Sequence, residues 1–65
     1  VTAAAADRDR LVATARGWSR RVRGLMACMY DARTAGRKDV VAVLGPQLVA
    51  ALAEEAAAWA AADEG

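Results

Sequence analysis

LVATARGWSRRVRGLMACMYDA, residues 11–32, decides the fold. Within it Leu11, Ala15, Trp18, Val22, Leu25, Met29 and Ala32 recur at steps of four and three in strict alternation. Such steps gather side chains into a seam along one side of an α-helix, and that seam has to be covered by another surface. A helix of this length is held mainly by packing of its buried side rather than by intrinsic propensity.

Working outward, Asp7 and Asp9 are well placed to open the helix, because carboxylates favour its positive end, and Thr2 offers an earlier cap. Residues 1–6 are expected to fray. Downstream, Arg33, Arg37 and Lys38 suit the negative end, and Gly36 suits the left-handed terminator position. The spacing therefore predicts one long helix over residues 7–34, about 42 Å at ~1.5 Å per residue. Gly17 and Gly24 lie seven apart on one side of it. They are either tolerated interruptions or, with Cys28, a small-residue strip that admits another helix closely.

Beyond the turn, Asp39 can cap a short helix over residues 39–44, and Gly45-Pro46 punctuates the chain. Proline is tolerated at a first helical position, which predicts a third helix over residues 46–62. A continuous helix kinked at Pro46 is the alternative. The expected apolar side of this segment is Leu44, Leu48, Leu52 and Trp59, with Ala51, Ala56 and Ala62 beside it. Asp63, Glu64 and Gly65 read as a frayed tail, since acids oppose the dipole there.

The fold class that follows is all-α: a single small domain over residues 1–65 in which long, short and third helices form an antiparallel hairpin. Folding back from Pro46 places Trp59 near Val22 and Ala62 near Trp18. A third helix of 17 residues reaches only about 25 Å, so Leu11, Val12, Ala15 and Trp18 become the expected oligomer interface. A homodimer with a four-helix core is the direct consequence.

Composition agrees with helices and limits the core. The chain is 57% hydrophobic, but of those residues 19 are Ala, the best helix former and the poorest core filler. Residues 1–38 carry all nine basic side chains and three acids, while residues 39–65 carry five acids and no base. The two halves are electrostatic complements and are expected to pair, Glu54 and Glu55 neutralising arginines. The single Cys28 and the absence of His argue against a disulfide or a Cys/His metal cluster, so no metal or cofactor is implied. The longest uncharged run, residues 40–53, is broken by Gly45, Pro46 and Gln47 and falls short of the ~20 apolar residues of a membrane span. No signal peptide is evident in the first residues. A cytoplasmic protein is expected.

The chemistry-bearing residues are few. With no His, one Ser (Ser19) and one Cys, an ordinary nucleophile and base pair is missing. Glu54 and Glu55 are adjacent and point about 100° apart on a helix, which is wrong for a facing carboxylate dyad. Cys28, at the edge of the seam, reads as a small buried hydrophobe rather than a reactive thiol. Trp18 and Trp59 read as core anchors, with a flat-ligand pocket between them as the alternative, and Tyr30 as a surface contact. Arg16, Arg20, Arg21 and Arg23 form a cationic strip suited to phosphate. A helix-turn-helix over residues 39–56 lacks base-reading side chains, offering only Gln47. The functional expectation is a non-enzymatic helical interaction or regulatory protein, a homodimer with a further protein partner in view. The alternative is a nucleic-acid-binding regulator that uses the arginine strip.

Overall fold

Thr2 opens α1: its hydroxyl oxygen accepts the Ala5 backbone N–H at 3.1 Å from an extended backbone, and the helix runs over Ala3–Thr34. In this computed structural model, which describes residues 2–64, the early cap prevails over Asp7 and Asp9, because alanine propagates a helix readily once one orphan N–H is satisfied. The expected fraying of residues 3–6 is thereby corrected; Val1, like Gly65, lies outside the described residues.

The end of α1 is as the sequence suggests. Gly36 takes a positive φ of 71°, and the Arg37 N–H reaches back to the Ala32 carbonyl at 2.8 Å while the Gly36 N–H reaches Arg33 at 3.1 Å. This paired capping pattern satisfies carbonyls that the helix leaves open. The Arg37 guanidinium then clasps Asp39 through Nε and Nη2, at 3.2 and 3.1 Å. That contact, followed by the Val40 backbone N–H, holds the Asp39 carboxyl below the usual carboxylate range. A lowered folded-state value adds stability above the ordinary value of 3.8 and loses it as pH falls below.

The second half is one helix, not two. α2 spans Lys38–Glu64 without a break and carries Pro46 inside it. Gly45 explains the passage: the clash that normally drives the residue before proline out of the helical region involves its Cβ, which glycine lacks. Pro46 and Ala42, whose carbonyl loses its N–H partner, are both exposed, so water reaches the gap. Residues 63 and 64 stay in the helix, so of the expected tail only Gly65 falls outside the described residues.

The helices pack antiparallel as a hairpin with Cα extents of 51 × 15 × 12 Å. On α1 the buried and half-buried residues include every member of the expected seam, with Ala15, Val22 and Ala32 fully buried. On α2 the seam is Val41, Leu44, Leu48, Ala51, Glu55, Ala58 and Ala62, again at steps of three and four. The expected apolar side of α2 holds at Leu44, Leu48, Ala51 and Ala62 but fails at Leu52, which is 43% exposed, and at Ala56 and Trp59, which lie at the surface. Pairing shifts as well. Ser19 faces Glu55 and Trp59, and Trp18 shares a groove with Ala57, Ala58 and Ala61, about one turn from the expected register.

A longer α2 removes the argument for leaving the start of α1 bare. Ala15 is 0% exposed, and Leu11 and Val12 are half-buried. The proposed interface of Leu11, Val12, Ala15 and Trp18 is largely occupied by the chain itself.

The expectation of a cytoplasmic protein without a membrane-crossing segment is also corrected. Because Gly45 and Pro46 do not interrupt it, α2 is long and apolar enough to cross a membrane by length and composition, and only 6% of its most apolar 18-residue stretch is buried. Localisation is thus not fixed by composition.

Candidate interaction face

The hairpin has two broad faces, and its exposed bulk is gathered on one of them. Along α1 the flank of this face steps through Asp9, Val12, Arg16, Ser19, Arg23, Met26, Tyr30 and Arg33, again at threes and fours. Along α2 it steps through Ala42, Gly45, Val49, Leu52, Ala56, Trp59 and Asp63. The two flanks are joined on the same side, because Trp59 and Ser19 are hydrogen-bonded and Met26, Met29, Tyr30 and Leu48 line one groove. Among the described residues, five of the six exposed large hydrophobic side chains lie here: Met26, Tyr30, Val49, Leu52 and Trp59, with Tyr30 at 71% exposure. Val43 alone belongs to the opposite face. Scattered single hydrophobes need no explanation, whereas their gathering on one face calls for one.

A polar clasp crosses the seam at one end of this stripe. The Ser19 hydroxyl donates to Glu55 Oε2 at 2.6 Å and accepts the Trp59 indole N–H at 3.0 Å. Glu55 occupies a seam position on α2, where a polar residue fixes register at some cost in stability. The indole N–H engages the hydroxyl oxygen, which suits a structural hydrogen bond better than a nucleophile. Ser19→Ala should destabilise the protein by about 1 kcal/mol in urea unfolding and expose Trp59 to acrylamide quenching in a Trp18→Phe background. Unchanged stability and quenching would show the clasp to be idle. In the sequence Ser19 stands out only as the single serine, without a base to make it a nucleophile, because a lone serine carries no pattern. The available signal was its place on the flank opposite a carboxylate, and that needed the register.

Arg16, Arg20, Arg21 and Arg23 form no ion pair with the acidic half among the described residues. Among the described residues the ion pairs are local ones, Arg10 with Asp7 at 3.6 Å and Arg37 with Asp39 at 3.1 Å. Glu55 is bonded by Ser19, and Glu54 lines the opposite groove with Leu11, Thr14 and Trp18. Arg16, Arg20 and Arg23 edge the apolar face beside Trp59, whereas Arg21 stands on the far flank with Gly17, Gly24 and Cys28. The strip of four is split into three and one.

Several other expected sites are dispersed. Trp18 and Trp59 line grooves on opposite faces, so no pocket forms between them. Cys28 is exposed rather than buried. A Cβ built at Gly17 or Gly24 would meet nothing within 4 Å, so the small-residue strip holds no helix close to it. No group of three metal-ligating side chains occurs among the described residues. Comparison with known proteins adds no relative to this chain: no family model matches it, and neither a curated protein nor a solved structure resembles it.

Proposed function

We propose that this chain is a non-enzymatic helical interaction protein that binds another macromolecule through the face of Met26, Tyr30, Val49, Leu52 and Trp59. One observation carries the reading: among the described residues the hairpin buries five, four of them alanine, while five large apolar side chains stand open on one side. Covering them gains about 25 cal/mol per Å² of apolar surface removed from water, a gain the isolated hairpin forgoes. Affinity capture from cells that make the protein tests it, comparing wild type with Leu52→Glu and with Val43→Glu on the opposite face. A macromolecule held by wild type and Val43→Glu but released by Leu52→Glu is the expected result. Equal retention by all three, or none by any, removes the reading.

A second reading, nucleic-acid binding, is favoured by the arginines that lack ion-pair partners among the described residues. Arg16, Arg20 and Arg23 share one edge, and three phosphate contacts would give a salt slope of about −2.7 on duplex DNA. Fluorescence anisotropy with a generic DNA or RNA fragment at ~50 mM salt, where phosphate contacts are strong, decides it. Binding abolished by Arg16→Gln, Arg20→Gln and Arg23→Gln together is expected, and silence from the wild type drops it.

A further inference from the structure

Resting on the reading that this face binds, we propose that its occupant is a second copy of the same chain, laid antiparallel about a two-fold axis beside Leu52. Size matching along α2 is the first argument. Trp59 and Gly45 lie seven residues to either side of Leu52. The two-fold therefore sets the bulkiest side chain of each copy over the glycine of the other, Val49 over Ala56, and Leu52 against Leu52 of the second copy. Knob against slot is how helix layers interdigitate. The same axis crosses the neighbouring flank of α1 near Arg23, because Ser19 bonds Glu55 on one side of Leu52 and Met29 lies beside Gly45 on the other.

Charge is the second argument. The face is acidic at its open end, with Asp9 and Asp63, and basic toward the turn, with Arg33, Arg37 and Lys38 lining one groove. An antiparallel copy brings Asp9 level with the turn that carries Arg37 and Lys38 in the second copy, and a parallel one would set acid on acid. Arg23, close to the axis, comes level with Arg23 of the second copy, but at an exposed rim where ionic screening keeps the repulsion small.

Area is the third. Copies related by this axis overlap along the 27 residues of α2, about 40 Å at ~1.5 Å per residue, and over a face 15 Å wide they bury about 1,200 Å², at the lower end of the ~1,200–2,000 Å² of stable interfaces. The heptad pattern fits the same arrangement. Apolar residues at the seam and at one flank, rather than the seam alone, characterise helices that face two neighbouring surfaces. A bilayer is a poorer occupant: sinking this hairpin into it would carry Arg16, Arg20, Arg21 and Arg23 along beside α2, each at roughly 2.5–3.5 kcal/mol near the centre.

Light scattering behind size exclusion at about 50 μM is the first measurement, with a mass of twice the 6.8 kDa chain expected. Because Leu52→Glu can unfold a coupled dimer, cysteine cross-linking carries the geometry. In a Cys28→Ala background, Leu52→Cys should oxidise to a covalent dimer, and Val43→Cys should not. Gly45→Ala sharpens the test. A Cβ there meets, apart from its chain neighbours, only Met29 Cε at 4.0 Å inside the hairpin, and in a Pro46→Ala background, where the proline no longer crowds that Cβ, helix propensity should improve while dimerisation weakens several-fold. A 6.8 kDa monomer overturns the proposal, as does a dimer cross-linked through Val43→Cys rather than Leu52→Cys, or a monomer that floats with anionic vesicles. A monomer that still captures a ligand lost by Leu52→Glu sinks the second copy alone; capture indifferent to Leu52→Glu sinks the reading of the face.

Discussion

Pro46→Ala is expected to stabilise the protein by about 2–3 kcal/mol, because proline inside a helix forgoes a backbone hydrogen bond and crowds the preceding turn. For a domain of this size that corresponds to roughly 10–20 °C in melting temperature. The site is favourable for the exchange. Pro46 is exposed, it lies on the side of α2 turned away from α1, and alanine restores an N–H that can bond the Ala42 carbonyl. Thermal melting followed by circular dichroism measures it. A neutral or lowered melting temperature would mean that α2 must bend at Pro46 for its seam to follow α1, so that straightening it forfeits packing on one side or the other. Comparison with Gly45→Ala helps here, since glycine relieves the clash that proline imposes on the residue before it.

Ala15→Leu should act in the opposite sense and with similar size, costing about 1–3 kcal/mol. Domains of this length are stable by only about 3–10 kcal/mol, at ~0.05–0.15 per residue, so such a loss is a large share. The cause is the alanine seam. Ala15 is completely covered, and Ala32, Ala51 and Ala62 are buried with it, so the helices approach closely where a methyl group is all that separates them. Leucine there must either push α2 away or adopt an unfavourable rotamer. Urea unfolding of Ala15→Leu beside Ala13→Leu, one turn edge away and exposed, isolates burial from helix propensity. Equal stability in the two would show that the helices are not closely packed at this level.

The most legible part of the sequence was α1. Its bulky residues repeat at heptad steps against charged neighbours, so only one side can be buried, and each member of that seam is in fact buried or half-buried. Gly36 was equally legible, because few other residues take a positive φ without strain. The start was less so: Thr2 and Asp7 are both competent caps, and the choice fell to the alanines between them.

α2 resisted reading for a different reason. Leu44, Leu48 and Leu52 step by fours, and each such step overshoots a full turn by about 40°. A stripe built on them drifts off the side that faces α1, whereas alternating threes and fours stay on it. Alanine elsewhere in the helix carries too little bulk to correct the choice. Half-burial of Glu55 and Ala58, and exposure of Leu52 and Trp59, followed only once α1 was in place. The candidate face was hidden by the same error, since two of its five apolar residues had been assigned to the core.

The charges taught a similar lesson. Opposite net charge in the two halves was visible in the sequence, yet no arginine of the 16–23 strip forms an ion pair among the described residues. Position around each helix, not total charge, decides which side chains meet. By itself, then, the sequence determined a helix with a heptad seam, a glycine stop and a second helical half that folds back. Only the tertiary structure decided that this half is one helix through Pro46, which side of it is buried, and that its leucine and tryptophan stand open beside Met26 and Tyr30. Periodicity in bulky residues is a local property of the chain, but the angular phase of an alanine-rich helix is set by the surface it packs against.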